Sequence, residues 1–244
     1  MRGWTKFLVA AVVVCAALYG VGLWLWPASY PSYTIRYRLT LDVNVEGTHH
    51  IGSGVVEAIF QTRPRFPPES GDTSAYLKGY AITVDLGERG LLIAVDGESH
   101  TRRAEFVGGG VIYGSTGYLR LPFAIWRNSR STQFGSETEY FAAPENRTPI
   151  ALNLLMLPLL VRFRDLNDRN SLEEVDPEHL DATFGPGVSL ESATFQIVDD
   201  PVSPMPANWP EWLKTIDPYK DRVVTWQRGH QPFFTSLYFI GTGD

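Results

Sequence analysis

Cysteine is almost absent: Cys15 is the only one in 244 residues. It lies inside an apolar run, so the remainder of the chain has no disulfide, no thiol nucleophile and no thiolate metal site. The five histidines, His49, His50, His100, His179 and His230, never stand in H-x-x-x-H or H-E-x-x-H spacing. Those are the helical spacings that bring two imidazoles to one metal ion. Basic excess is missing too, since 21 Lys and Arg face 27 Asp and Glu. A chain of that sign is a poor partner for nucleic acid or for an anionic lipid surface. No internal repeat and no low-complexity tract occurs.

Charge is also missing from residues 7–26, FLVAAVVVCAALYGVGLWLW. These 20 residues match the ~20 that a helix needs to cross a hydrocarbon core of ~30 Å. Trp4 precedes the run, Trp24 and Trp26 close it, and Tyr30 follows. Such rings prefer the headgroup level, where the ring body is apolar and the N–H or O–H is wet. Pro27 stops the helix, because proline donates no backbone hydrogen bond. Arg2, Lys6 and the terminal amine precede the span, while Arg36 and Arg38 follow it beside Asp42. The excess of positive charge in the leading flank orients the N-terminus toward the cytoplasm. A cleaved signal peptide is the competing reading. Its apolar core is shorter, ~7–15 residues, and ends in an A-x-A-like site, whereas Pro27 here takes the −3 place before Ser29. Val14 before Cys15 does not fit a lipoprotein signal.

Three segments are therefore expected: a cytoplasmic tail (1–6), a transmembrane anchor (7–26) and one extracytoplasmic domain (27–244). Setting aside Arg2 and Lys6 leaves 19 basic against the same 27 acidic residues, a net charge of −8 outside the anchor. A hydrophobic content of 44% with 13% aromatics is enough for a packed core. With 22 Gly and 17 Pro the chain is rich in turns, as β-dominated architectures are. The expected class is α+β and β-rich, a mainly antiparallel sheet domain with a few short helices.

The clearest element is residues 33–45, where Tyr33, Ile35, Tyr37, Leu39, Leu41, Val43 and Val45 alternate with polar residues. That period of two predicts a strand with one buried face. A turn at Glu46-Gly47-Thr48 and a second strand over 54–62 complete a hairpin. Residues 63–74 read as a long loop, and 80–86 with 91–95 as a second hairpin around the turn 87–90, which has glycine at both ends. Short strands are expected at 111–113 and 118–123. Residues 150–161 read as a short buried helix running into a strand over 159–164. Asp176-Pro177-Glu178 carries a capping acid and a first-turn proline, which predicts a helix over 177–184. Strands at 188–198 and 235–240 and a helix at 210–216 follow.

No pattern assigns catalysis. Asp165-x-Asn167 with Asp176 outlines a calcium loop, but Arg169 and Asn170 stand where a third oxygen ligand and glycine belong. Neither a metal nor a cofactor is expected. Gly109 to Thr116 has the glycine spacing of a phosphate loop, with Ser115 in place of its lysine. Ser53 sits between Gly52 and Gly54 without the five-residue nucleophile elbow. Asn146-Arg147-Thr148 is a glycosylation sequon that matters only in a eukaryotic secretory route. Trp209 and Trp212, in Trp-Pro-Glu-Trp, suggest an aromatic platform for a partner, against the plainer reading of buried rings beside a short helix.

The stretch over 157–202, LPLLVRFRDLNDRNSLEEVDPEHLDATFGPGVSLESATFQIVDDPV, together with YRLTLDVNVEG, GSGVVE and VDLGERGLLIAV, resembles an uncharacterised family of bacterial single-span membrane-anchored periplasmic proteins. The resemblance implies a layout and a setting in the bacterial envelope, and gives no residue a role. The expected function is a binding or assembly domain tethered to the inner membrane, facing the periplasm and another envelope protein. Two alternatives stand beside it. An envelope hydrolase would gather two or more of His50, His100, His179, His230, Asp165 and Asp176 into one pocket. A small-molecule or sugar sensor would line a pocket with Trp126, Trp209, Trp212 or Trp226.

Overall fold

The structure is a computed structural model that describes residues 2–29, 32–63, 72–97, 104–107, 110–113, 117–129 and 136–215. In chain order the elements are α1 (Arg2–Ser29), β1 (Ser32–Val45), β2 (Thr48–Arg63), β3 (Asp72–Lys78), β4 (Ile82–Asp85), β5 (Leu91–Val95), β6 (Ala104–Val107) and β7 (Gly110–Tyr113). There follow α2 (Leu121–Asn128), α3 (Glu137–Ala142), β8 (Ile150–Ala151), β9 (Leu159–Phe163), β10 (Leu172–Glu174), α4 (Leu180–Phe184), β11 (Val188–Ile197) and α5 (Glu211–Lys214). Among the described residues the strands form a five-stranded sheet in the order β3-β2-β1-β11-β8, a four-stranded sheet β10-β9-β5-β4, and the hairpin β6-β7. The fold is β-rich α+β, as the sequence predicts.

The chain divides into two compact units, Met1–Tyr33 with Phe60–Ala75, and Thr34–Ile59 with Tyr76–Asp244. The first holds α1, one continuous helix of 28 residues. In the same unit Tyr33 stacks on Phe60 with ring centroids 5.0 Å apart. Among the described residues no helix is long and apolar enough to cross a membrane.

In the second unit the alternation of β1 becomes burial. Ile35, Tyr37, Leu39, Leu41 and Val43 are all at most 4% exposed, each worth about 1.5–3 kcal/mol relative to an exposed position. The partner strand β11 runs antiparallel, Leu39 opposite Phe195 and Asn44 opposite Ser189, with a bulge at Asp42/Val43. Strand β5 is buried at every position, which explains why its sequence, LLIAV, does not alternate. Leu91, Ile93 and Val95 pack with Leu159, Val161 and Phe163 of β9 and with Trp209 and Leu213. Gly52 and Gly54 on β2 bring the backbones close. A Cβ at Gly52 would lie 2.2 Å from the Thr83 carbonyl oxygen, and one at Gly54 2.8 Å from Ile82 Cγ1. Here glycine is the residue that permits close approach of β2 to β4.

A buried tyrosine ties several strands together. Tyr118 is 1% exposed. Its hydroxyl donates to the Ala94 carbonyl of β5 at 2.5 Å and accepts from the Ile82 N–H of β4 at 3.3 Å. The Tyr37 hydroxyl of β1 donates to the Tyr118 carbonyl at 2.7 Å. Burial raises both phenols well above their ordinary range, and the nearby Asp96 carboxylate pushes the same way.

Several local expectations are corrected. Residues 118–123 are a turn leading into α2, because Pro122 sits in the first helical turn, where its missing N–H costs nothing. Strand β2 begins at Thr48, not at 54, and β3 begins at Asp72, inside the expected loop. Residues 150–161 hold the two-residue β8, a single 3₁₀ turn at Leu154–Met156 and the start of β9. Asn153 caps that turn, its side chain accepting from the Met156 N–H at 3.0 Å. The helix expected over 177–184 starts only at Leu180, since His179 has an extended φ of −135°. The expected strand at 235–240 lies outside the described residues.

Candidate functional site

A concave surface with polar lining lies where β1 turns into β2 and β11 begins. The turn itself is local. Glu46 (φ 52°) and Gly47 (φ 90°) are both left-handed, the two-residue geometry that matches strand twist. The Asn44 side chain accepts from the Gly47 N–H at 2.7 Å. Across from it, Gly185-Pro186-Gly187 ends α4 and starts β11, with φ of 95° and 81° at the glycines. The Glu46 N–H donates to the Gly187 carbonyl at 2.9 Å, closing the turn against the strand.

Arg89, from the β4–β5 turn, stitches this end together. Its guanidinium donates to Glu46 Oε1 at 2.7 Å and to the Phe184 carbonyl at 3.1 Å. A Cβ at Gly185 would lie 2.2 Å from Arg89 Nη1, so glycine there leaves room for the guanidinium. Arg162 lies over the Phe184 ring at 5.1 Å from its centroid. From the sequence Arg89 is only part of the 87–90 turn, and Gly185 only follows the helix expected over 177–184. Their joint role depends on contacts across 95 positions, which no local pattern carries.

The resulting groove has a volume of about 780 Å³. It is lined by the start of β11 (Val188, Ser189 and Leu190), by Pro177, Glu178, His179 and Asp181, and by Leu154. Glu178 and Asp181 are exposed carboxylates, and Arg89 pairs with Glu46.

Of the residues considered for catalysis, His179 lines this groove. Asp176 precedes it, but its Oδ1 accepts the Glu178 N–H at 3.0 Å and its carbonyl accepts the His179 N–H. Asp165 is spent similarly, accepting the Asn167 N–H at 2.9 Å. Ser171, 4% exposed, organises that loop through the Asp165 and Asp168 carbonyls. His50 bonds the Asp85 carbonyl at 2.7 Å, and His100, His230 and Trp226 lie outside the described residues. His49 faces Asp42 at 3.0 Å from both carboxylate oxygens. Ser53 bonds Thr40 at 2.9 Å and stands four positions along the strand from His49, about 13 Å at ~3.3 Å per residue. No nucleophile–base pair forms there. Among the described residues no three His, Cys, Asp or Glu side chains are grouped to hold a metal ion. The glycine-spaced stretch is strand β7 through its middle, and its ends lie outside the described residues.

The tryptophans do not form the expected platform. Trp209 is 2% exposed within the β5–β9 core and meets Tyr80 edge to face at 5.8 Å. Trp212 is half-buried. Its Nε1 donates to the Leu166 carbonyl at 2.6 Å, its ring meets Phe163 edge to face at 5.3 Å, and Arg169 covers it at 5.1 Å. The apolar face of the β-sheet draws both rings inward, and Pro210 between them starts α5. Trp126 is on α2, half-buried and apart from that cluster.

Ion pairs join β1 to β2 and to the segment after β11, and tie that segment to the turn before β8. Arg36 meets Glu57 at 2.5 Å, Arg38 meets Asp200 at 3.1 Å, and Arg147 bonds Asp199. The last contact holds the Asp199 carboxyl below its ordinary range and raises Arg147.

No family model, no curated protein and no solved structure matches this chain.

Proposed function

We propose that the chain is an inner-membrane tether in a bacterial envelope. In this reading α1 spans the bilayer with its N-terminus in the cytoplasm, and the β-rich part works in the periplasm as a binding or assembly module for another envelope protein. One observation carries the reading. Among the described residues nine large hydrophobics stand exposed, and seven of them are on α1: Trp4, Val12, Val13, Val14, Leu18, Tyr19 and Val21, at 53–85%. Soluble proteins rarely leave so contiguous an apolar surface in water; lipid is the solvent that suits it. The uncharged run of 20 residues in this helix extends about 30 Å at ~1.5 Å per residue, the thickness of the hydrocarbon core.

The native thiol supplies the test. In sealed membranes Cys15 is expected to resist a membrane-impermeant maleimide and to react once the protein is denatured. The protein should stay in the pellet after alkaline carbonate washing, and a C-terminal alkaline phosphatase fusion should be active. Labelling of Cys15 in intact membranes, release by carbonate, or a fusion silent as phosphatase yet fluorescent as a cytosolic reporter would each overturn the tether. Crosslinking in intact cells then identifies the partner.

A further inference from the structure

One stretch of β2 has no strand beside it among the described residues. Side-chain bonds across the β1–β2 hairpin give its register: Arg36 meets Glu57 at 2.5 Å and Thr40 meets Ser53 at 2.9 Å. The same register puts Asp42 opposite Ile51, and Val45 opposite Thr48 around the two-residue turn. In such a hairpin the pair flanking the turn is bonded, and bonded pairs recur at every second residue. His49, Ile51, Ser53 and Val55 therefore direct their N–H and C=O groups away from β1. At Val55 those groups are met by Ser203, whose N–H donates to the Val55 carbonyl at 3.0 Å and whose hydroxyl accepts the Val55 N–H at 2.8 Å. Strand β3 lies beyond that point. Gly79, the first residue after it, is so close to Val56 that an added Cβ would be 3.0 Å from Val56 Cγ1. Residues 64–71 are too few to carry β3 to the other end of β2. The stretch from His49 to Ser53 is also open. Ile51 is 66% exposed, the most exposed large hydrophobic outside α1 among the described residues, and His49 and Ser53 are exposed too. His50 and Gly52 turn the other way, toward Asp85 and Thr83.

We propose that this edge pairs with the same edge of a second copy of the chain, antiparallel about Ile51. Self-complementarity favours that occupant. Ile51 meets its own counterpart, and His49 meets Ser53 on either side, as a two-fold contact requires. This register uses all three outward-facing residues and stops short of Val55, so the Ser203 bonds stay intact. A ladder centred on His49 or Ser53 would run into the turn or into Ser203. The two Ile51 residues come within ~5.5 Å of each other on one face of the sheet and cover each other. The edge is also neutral. From Thr48 to Val55 the sequence THHIGSGV has no Lys, Arg, Asp, Glu or Pro, so it lacks the charges and prolines that normally blunt an exposed edge. A chain of net charge −6 can approach its copy there. The Asp42 carboxylates, one strand in from the edge, stay three strand spacings apart, ~14 Å and beyond a Debye length. About six main-chain bonds and one pair of isoleucines make a contact smaller than the ~1,200 Å² of a stable complex, so the pairing is reversible. Self-association goes beyond the binding role proposed above and does not rest on the tether.

The test traps the pair in register. In the full chain carrying Cys15→Ser, the changes His49→Cys and Ser53→Cys are introduced singly and together, and expressing cells are oxidised briefly with copper phenanthroline. Across the proposed ladder, position 49 of one copy faces position 53 of the other at ~5.5 Å between Cα atoms, within disulfide range. Within one copy the two positions are about 13 Å apart at ~3.3 Å per residue, and position 49 is equally far from position 49 of the other copy. Non-reducing gels should therefore show at least roughly fivefold more dimer for the double variant than for either single one. Adding Ile51→Lys to the double variant should lower the dimer by a similar factor, because two like charges would meet at the centre, whereas Ile51→Val should not. These changes are at exposed positions, and an unchanged thermal midpoint verifies folding. Equal crosslinking of single and double variants, no dimer from the double variant, or insensitivity to Ile51→Lys would overturn the inference. The tether is read separately, by labelling of Cys15 in the parent chain.

Discussion

Replacing Tyr118 by Phe removes one oxygen atom and tests the tie between the strands directly. The hydroxyl is buried and makes two contacts, to the Ala94 carbonyl at 2.5 Å and from the Ile82 N–H at 3.3 Å. Phenylalanine fills the same space and opens no cavity, so the transfer term is small. What remains is a buried acceptor and a buried donor without their partner, at about 1–3 kcal/mol each. The longer Ile82 contact belongs at the low end, giving roughly 2–4 kcal/mol in all. Tyr37→Phe frees only the Tyr118 carbonyl and should cost about 1–2 kcal/mol. Equilibrium urea unfolding of the full chain in micelles, followed by tryptophan fluorescence, measures both. With a slope of ~2–3 kcal/mol per molar, Tyr118→Phe should lower the midpoint by about 1 M, and Tyr37→Phe by roughly half as much. The slope itself should not change. A midpoint within ~0.2 M of the parent at unchanged slope would refute the reasoning, because the two strands would then be held without that hydroxyl.

Three other outcomes are expected. Gly52→Ala should cost about 3 kcal/mol or more, since its Cβ would meet a main-chain oxygen at 2.2 Å. Gly47→Ala, strained at φ 90° but in open space, should cost about 1 kcal/mol; thermal midpoints of the two variants decide. The raised Tyr37 and Tyr118 phenols stabilise the fold fully below the unfolded phenol pKa of about 10 and progressively less above it. Near-UV circular dichroism should therefore be lost on the alkaline side of that value, and a signal unchanged well beyond it would contradict the burial argument. Trp209→Ala should cost about 3–5 kcal/mol, whereas Trp212→Phe, which gives up the Leu166 bond, should cost about 1 kcal/mol. Chemical unfolding ranks them, and equal costs would mean that the two rings are not buried unequally.

Much of the fold is legible residue by residue. The alternation in β1, the Glu46-Gly47 turn and the glycine-bounded 87–90 turn are local signals, and local geometry follows them. The errors have local causes as well. Tyr118, Arg120 and Pro122 mimic strand spacing, yet Pro122 is compatible with a first helical turn, and the buried Tyr118 hydroxyl fixes the preceding turn. For Trp209 and Trp212 buried rings are the plainer reading and a platform the sharper one; the apolar face of β5 and β9, which Trp209 covers, decides between them. The groove was invisible for a different reason. Asn44, Leu154, Glu178 and Leu190 come from four distant stretches, and a strand edge is a property of pairing, which no single segment encodes.

The absence of disulfides also bears on how the sheets are held together. A chain without cross-links holds its sheets by side chains that reach across them, Tyr118 and Tyr37 in the interior and Arg89 at the groove end. Each needs space beside it, and Gly185 supplies that space for Arg89. The glycine exit from α4 sets β11 off beside β1, but β8, only two residues long, does not reach its beginning. As Gly185 does for Arg89, Gly52 makes room for the sheets themselves, since its missing side chain lets β2 approach the Thr83 carbonyl of β4.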